Sequence, residues 1–158
     1  MDFFNQTGKL AIGSRLRMLT DKITVDAAAI YKMFGVDLKP KWFPVFFVLS
    51  RGEAKTITSI AKEIGHSHPS VSNIIKEMVA KGLVKETKDK SDGRRNMVML
   101  SAKGKRMSDS FSEQCIDVTA AIEQITQQTR NDLWEAIEEW ENLLLDKSLL
   151  ERVKEAKK

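Results

Sequence analysis

Apolar and polar positions alternate along this chain in two rhythms. Ile12, Leu16, Leu19, Ile23, Ala27, Ile30 and Phe34 recur every three or four residues. That spacing predicts one amphipathic helix from about residue 6 to 34, stopped by Gly35 and weakened at its start by Gly8 and Gly13. The segment Lys39–Pro44 opens a second helix that runs to Leu49 or Ser50, with Pro44 in its first turn, where a missing N–H costs little. A third helix is capped by Thr58, buries Ile60, Ala61 and Ile64, and ends at Gly65. The fourth starts near Pro69 with Ser67 or His68 as cap, turns Val71, Ile74, Ile75 and Met78 inward, and ends at Gly82. Two strand-like runs follow, Leu83-Val84 and Met97–Leu100, separated by the turn signal Ser91-Asp92-Gly93. Ser101 then caps a helix over 102–126 with the stripe Met107, Phe111, Cys115, Val118 and Ile122. Thr129 caps another over 130–146 with Leu133, Trp134, Ile137, Trp140 and Leu144, and Ser148 begins a last short turn. No repeat, linker or low-complexity stretch interrupts this order.

Charge changes the picture more than composition does. The 158 residues, 42% hydrophobic and 30% charged, are those of a globular chain long enough to bury a core. The net charge is only +4, but it is segregated. Residues 76–106 carry ten Lys and Arg against four acids, a net of +6, and residues 113–151 carry ten acids against Arg130 and Lys147, a net of −8. Such asymmetry suits a molecule with one face toward phosphates. No apolar run approaches the ~18–20 residues of a membrane span. A secretory signal is not evident at the N-terminus, and a single cysteine, Cys115, fits a reducing compartment. A cytoplasmic protein with no membrane partner is expected.

The order helix, Gly-containing turn, helix, basic hairpin over residues 57–104 is the layout of a winged helix-turn-helix, a reader of duplex DNA. With Val71, Ile74, Ile75 and Met78 inward, the helix from Pro69 leaves Ser70, Ser72, Asn73, Lys76 and Glu77 on or beside its open face. Small hydroxyl residues let a helix start sink into a groove, where backbone N–H groups meet phosphate. Asn73 can pair with adenine through two hydrogen bonds, and Lys76 can reach guanine or phosphate. Ser67 and His68 stand at the same helix start, and His66 and His68 are read as phosphate contacts. In the wing, Arg94 and Arg95 follow Asp92-Gly93, and a guanidinium suits the deep negative potential of a narrow minor groove. Asp92 is read as orienting Arg94 through a bidentate pair.

These residues carry a resemblance. His66-Ser-His-Pro-Ser-Val-Ser-Asn73, Ala80-Lys-Gly-Leu-Val84, Ser91-Asp-Gly-Arg-Arg95 and Val98-Met-Leu-Ser-Ala-Lys-Gly104 resemble the MarR (multiple antibiotic resistance regulator) family over nearly the whole chain. The resemblance implies a homodimeric transcriptional regulator, usually a repressor, with Arg94 or Arg95 in the minor groove. It also implies relief of DNA binding by small, often phenolic or lipophilic, effectors or by oxidants. The oxidant-sensing members use a cysteine in the first helix, which this chain lacks. Cys115, on an apolar stripe, is read as a buried inert thiol.

The fold class expected is mainly α with a small β-hairpin wing. In it, one MarR-like domain places a winged helix-turn-helix core at 40–101 between dimerisation helices at 1–36 and 102–158. The amphipathic end helices need a partner surface, and they could pack onto one another within one chain. A dimer is the favoured expectation, because it also pairs two recognition helices on a pseudo-palindromic operator. An effector pocket would draw on Tyr31, Trp42 and Phe46, although core packing also accounts for them. No metal site is expected from His66, His68 and Cys115, which lack a surrounding cluster. No nucleophile–base pair or phosphate-binding loop points to an enzyme, and no cofactor is called for. Two other readings stay open: a helical module docking a protein or RNA on its basic face, and the regulatory N-terminal part of a longer acetyltransferase-containing protein.

Overall fold

The computed structural model describes residues 2–88, 92 and 96–157. Its elements are α1 (Asp2–Thr7), a 3-10 turn (Gly8–Ala11), α2 (Ile12–Met33), a second 3-10 turn (Pro40–Trp42) and α3 (Phe43–Ser50). They continue with β1 (Lys55–Thr56), α4 (Ile57–Glu63), α5 (His68–Ala80), β2 (Val84–Lys88) and β3 (Asn96–Leu100). The chain then runs through α6 (Ala102–Gln128), α7 (Leu133–Asp146) and α8 (Leu149–Ala156). It divides into two compact units, Met1–Gln114 and Cys115–Lys158.

In the first unit the core lies where α3, α4 and α5 meet the sheet. Phe46 and Leu49 of α3, Ile60 of α4, and Val71, Ile75 and Met78 of α5 are fully enclosed together with Leu83, Val98 and Phe111. The sheet is antiparallel in the order β1-β3-β2, with Val84 opposite Leu100, Glu86 opposite Val98, and Lys55 also opposite Val98 on the other edge. Val98 is thus the central residue of a three-stranded sheet, larger than the hairpin expected from sequence.

Several local expectations are corrected. The first helix does not run unbroken from residue 6: Gly8 takes φ +53°, a left-handed conformation open to glycine, and the continuous helix begins at Ile12. The cap of α4 is Thr56 rather than Thr58, its hydroxyl accepting from Ser59 N–H at 3.1 Å. Asp132, not Thr129, caps α7, its carboxylate accepting from the N–H groups of Trp134 and Glu135. Thr129 instead donates to backbone carbonyls of Thr126 and Asn131. Ser148 starts a full two-turn helix through a capping box with Glu151, where only a short turn was expected. Cys115 is half-buried, and the polar Gln114 beside it is the enclosed residue at 5% exposure.

Among the described residues, the second unit fully buries none of its large apolar side chains. Trp134, Ile137, Trp140, Leu143 and Leu144 of α7 and Leu149, Leu150 and Val153 of α8 all stand exposed. Lys147 pairs with Glu155, and Arg152 donates to the Leu143 carbonyl at 2.9 Å, so these bonds tie α8 to the end of α7.

Candidate nucleic-acid interface

The candidate reading helix is α5, and its placement follows from its two ends. At its start the turn from α4 is made by Gly65 at φ +67°, and His66 N–H returns to the Ala61 carbonyl at 3.0 Å. Ser67 is the N-cap: its hydroxyl accepts from Ser70 N–H at 3.4 Å, and Pro69 sits in the first turn. At its far end Leu83 N–H donates to the Met78 carbonyl at 3.0 Å. At 100° per residue, Val71, Ile74, Ile75 and Met78 form one inward face, and all four are buried. The opposite face has Asn73 and Lys76 at its crest, Ser72 on one flank, and Ser70 with Glu77 on the other. Ser67, His68, Asn73 and Lys76 are exposed, and Ser70 and Ser72 are half-buried. All six sequence-predicted contacts on this helix and its cap therefore lie on one accessible surface.

A cleft of about 340 Å³ runs along the Ser70–Glu77 flank. Ser70, Asn73, Ile74 and Glu77 of α5 face Pro40, Lys41 and Pro44 across it, with His66 also lining it. Glu77 holds the two sides together. Its carboxylate accepts from Lys41 Nζ at 2.6 Å, from the Trp42 indole N–H at 2.9 Å and from Lys39 Nζ at 3.4 Å. The Lys41 and Trp42 hydrogen bonds stabilise the ionised form and lower the Glu77 pKa to about 2. Lys39 also lies over the Trp42 ring, 5.0 Å from its centroid. Nothing in the sequence flagged this cluster, because it joins residues 35 or more apart that belong to no local motif.

The base of the wing is built as rigidly as the helix. Ser101 N–H donates to the Leu83 carbonyl at 2.9 Å, and its hydroxyl donates to the Gly82 carbonyl at 2.5 Å while accepting from Gly104 N–H at 3.1 Å. Lys103 Nζ donates to the Lys81 carbonyl at 3.1 Å, adding a cation at the C-terminus of α5. β2 and β3 leave this junction paired out to Lys88 and Asn96. Arg94 and Arg95 lie outside the described residues. Asp92 is described and half-buried, but its expected pairing with Arg94 lies outside them too.

The residues expected to line an effector pocket, Tyr31, Trp42 and Phe46, are buried at 4%, 1% and 0% exposure. The sequence offers Phe43 and Phe47 as further aromatic candidates beside Phe46, but not that the three gather around Phe111. Phe46 packs edge-on to it at 4.8 Å, and Phe43 and Phe47 stand 5.8 and 6.4 Å away, both partly exposed. Gln114, one turn along the same face of α6, has a buried Oε1 with no hydrogen-bond partner among the described residues. A glutamine three residues after an aromatic on an apolar stripe was the available signal.

Comparison with known proteins places this geometry. Among curated proteins, none matches the chain in sequence. Among solved structures, the transcriptional repressor CouR bound to a 23-mer DNA duplex is similar with a TM-score of 0.64 and 20% identity, covering 88% of this chain and 96% of that one. The PcaV transcriptional regulator from Streptomyces coelicolor, in complex with its natural ligand, gives 0.63 and 13%, over 86% and 92%. The S. aureus MepR–DNA complex gives 0.52 and 21%, over 80% and 98%. Residues 36–95 match the model of the MarR family.

Proposed function

We propose that this chain, a MarR-family winged-helix regulator and not an enzyme, acts as a homodimeric repressor on a pseudo-palindromic operator. DNA-binding transcriptional regulation is the family's activity, and the observation that carries the finer reading is the division of α5. Its inner face is wholly enclosed, and its outer face presents Ser70, Ser72, Asn73 and Lys76 from a capped, glycine-turned start. Asn73 at the crest is the candidate base reader, Lys76 a guanine or phosphate contact, and Ser67, His68 and Ser70 backbone contacts. Arg94 and Arg95 are assigned to the minor groove, with Asp92 orienting Arg94. CouR and MepR are both solved on DNA, and CouR is described as a repressor, which supports this direction.

Homodimerisation through 1–36 and 102–158 is supported by apolar surface that each unit leaves open. In α2, Ile12, Leu16, Leu19 and Ile23 form an exposed stripe, and α7 and α8 expose another. A small-molecule effector is supported by the partly open Phe43–Phe47–Phe111 cluster and the unsatisfied Gln114 Oε1 next to it. PcaV is solved with its natural ligand.

The test is selection of bound duplexes from a randomised pool, with light scattering on the free protein. Enrichment of an inverted repeat, with half-sites one helical turn (~34–36 Å) apart, and a particle of twice the chain mass are expected. Binding with no sequence preference would refute the operator assignment.

A further inference from the structure

A carboxylate beside the reading face of a DNA-binding helix is electrostatically costly unless something offsets it. Glu77 is offset: it lies on the flank of α5, and Lys41, Lys39 and the Trp42 indole converge on it. Both lysines remain about half exposed, at 54% and 55% of their side-chain surface. Each ammonium has three N–H donors, and Glu77 occupies one of each. Lys41 borders the cleft whose other wall is Ser70 and Asn73, and Lys39 stands beside it on the same carboxylate. A duplex seated on Asn73 and Lys76 would bring its sugar–phosphate edge along this flank, because the groove wall rises beside any helix lying in it.

We propose that Lys39 and Lys41 form a DNA-backbone contact on the side of the recognition helix that faces the Pro40–Trp42 3-10 turn, distinct from the helix face and the wing, and that Glu77 is its internal counter-anion. The proposal rests on the operator-binding reading above. Its logic is competition between two anions for the same ammonium groups. In free protein Glu77 positions the lysines and neutralises half of their charge. On DNA a phosphate shares them, so the site contributes a net of one positive charge rather than two. Glu77 thereby holds down sequence-blind affinity, which is set almost wholly by phosphate neutralisation, while leaving base contacts at Asn73 untouched. Selectivity for the operator over bulk DNA rises as a result.

The indole bond gives Glu77 a packing role as well, since Trp42 is 1% exposed and its N–H donates to the Glu77 carboxylate. The experiment must separate the two roles. Affinity for a short random-sequence duplex is measured against salt between ~50 and ~200 mM for wild type, Lys41→Gln, Lys39→Gln and Glu77→Gln, with thermal melts alongside. Each lysine variant is expected to flatten the log K against log salt slope by up to about 0.9, which is roughly a threefold change in relative affinity over that range. Glu77→Gln, which keeps an oxygen for the indole, is expected to steepen the slope and tighten random-duplex binding several-fold. A purely structural Glu77 would instead lower the melting temperature and leave the slope where it was, overturning the counter-anion role. Unchanged slopes in both lysine variants, with Asn73→Ala still altering base preference, would overturn this contact and leave the operator reading standing. Failure of wild type to bind any duplex at low salt would overturn both.

Discussion

Replacing Gly104 by alanine sets two known effects against each other, and the structure decides the sign. Gly104 is the third residue of α6, and alanine is favoured over glycine in helices by ~1 kcal/mol. Propensity alone therefore predicts a more stable protein. A Cβ at Gly104, however, would collide with the carbonyl oxygen of Leu83 and meet two carbons of the Leu100 side chain at 3.3 Å. The first obstacle is backbone, and it is held: the same carbonyl accepts from Ser101 N–H, whose side chain bonds Gly82. Relief requires α6 to move off the β2–β3 base, with overpacking strain of ~1–3 kcal/mol and weakening of a hydrogen bond worth ~1 kcal/mol. The expected net effect of Gly104→Ala is a loss of about 2 kcal/mol, or roughly 4–8 °C in Tm at this chain length. Urea titration followed by tryptophan fluorescence would read it as a lower midpoint at constant m-value. DNA affinity should fall beyond the loss of folded fraction, because the moved junction carries the wing. A variant as stable as wild type would refute the claim that close approach, rather than a turn, requires glycine here.

Three further outcomes are expected. Asn73→Ala should lose ~1–3 kcal/mol of discrimination at one base position while other positions are unaffected, read by competition among single-base operator variants; equal weakening on every sequence would make Asn73 a backbone contact. Leu16→Asp combined with Ile23→Asp should halve the particle mass in light scattering, since each buried aliphatic side chain stabilises an interface by ~1.5–3 kcal/mol; an undiminished mass would remove α2 from the interface. Glu77 is held at a pKa of about 2 against an ordinary 4.5. Its lowered folded-state pKa makes its stabilisation complete above pH 4.5 and progressively lost as pH falls toward 2, so Lys41→Gln should shift its carboxyl resonance titration upward; an unmoved titration would deny the Lys41 hydrogen bond.

The features legible in sequence were those encoded by neighbours. The inward face of α5 was visible as Val71, Ile74, Ile75 and Met78, because helical periodicity repeats within a few residues. Ser101 is readable as a cap for the same reason, and Ser67 as one of two candidates beside His68. β1 was not: two residues, Lys55 and Thr56, are too short to show alternation, and they become a strand only by pairing with Val98 and Met97. The Thr58-for-Thr56 and Thr129-for-Asp132 errors have one cause. Several hydroxyl and carboxylate residues near a helix start compete as caps, and local sequence does not say which adopts the extended backbone a cap needs. Glu77 was seen only as a polar residue beside the open face. Its partners arrive from the 3-10 turn before α3, a contact set by the packing of Trp42 into the core.

The distribution of apolar surface bears on the proposal that the chain acts as two copies. A monomeric protein seldom exposes a large continuous apolar patch. Here α2 leaves Ile12, Leu16, Leu19 and Ile23 open in one unit, and in the other α7 alone leaves two tryptophans and several leucines open. Helices of this kind are rarely held by propensity, so their length and order imply a partner that covers them. The acidic character of 113–151 argues against nucleic acid as that partner, and the apolar stripes argue for a protein surface of the same kind. A second copy supplies one without further assumption, and a two-fold assembly duplicates α5. One reading helix with Asn73 and Lys76 at its crest reaches few base pairs. Two, spaced by the groove repeat, reach enough to separate an operator from bulk DNA. The dimer stripe and the reading face therefore stand or fall together: a variant that is monomeric but fully operator-selective would break the link between them.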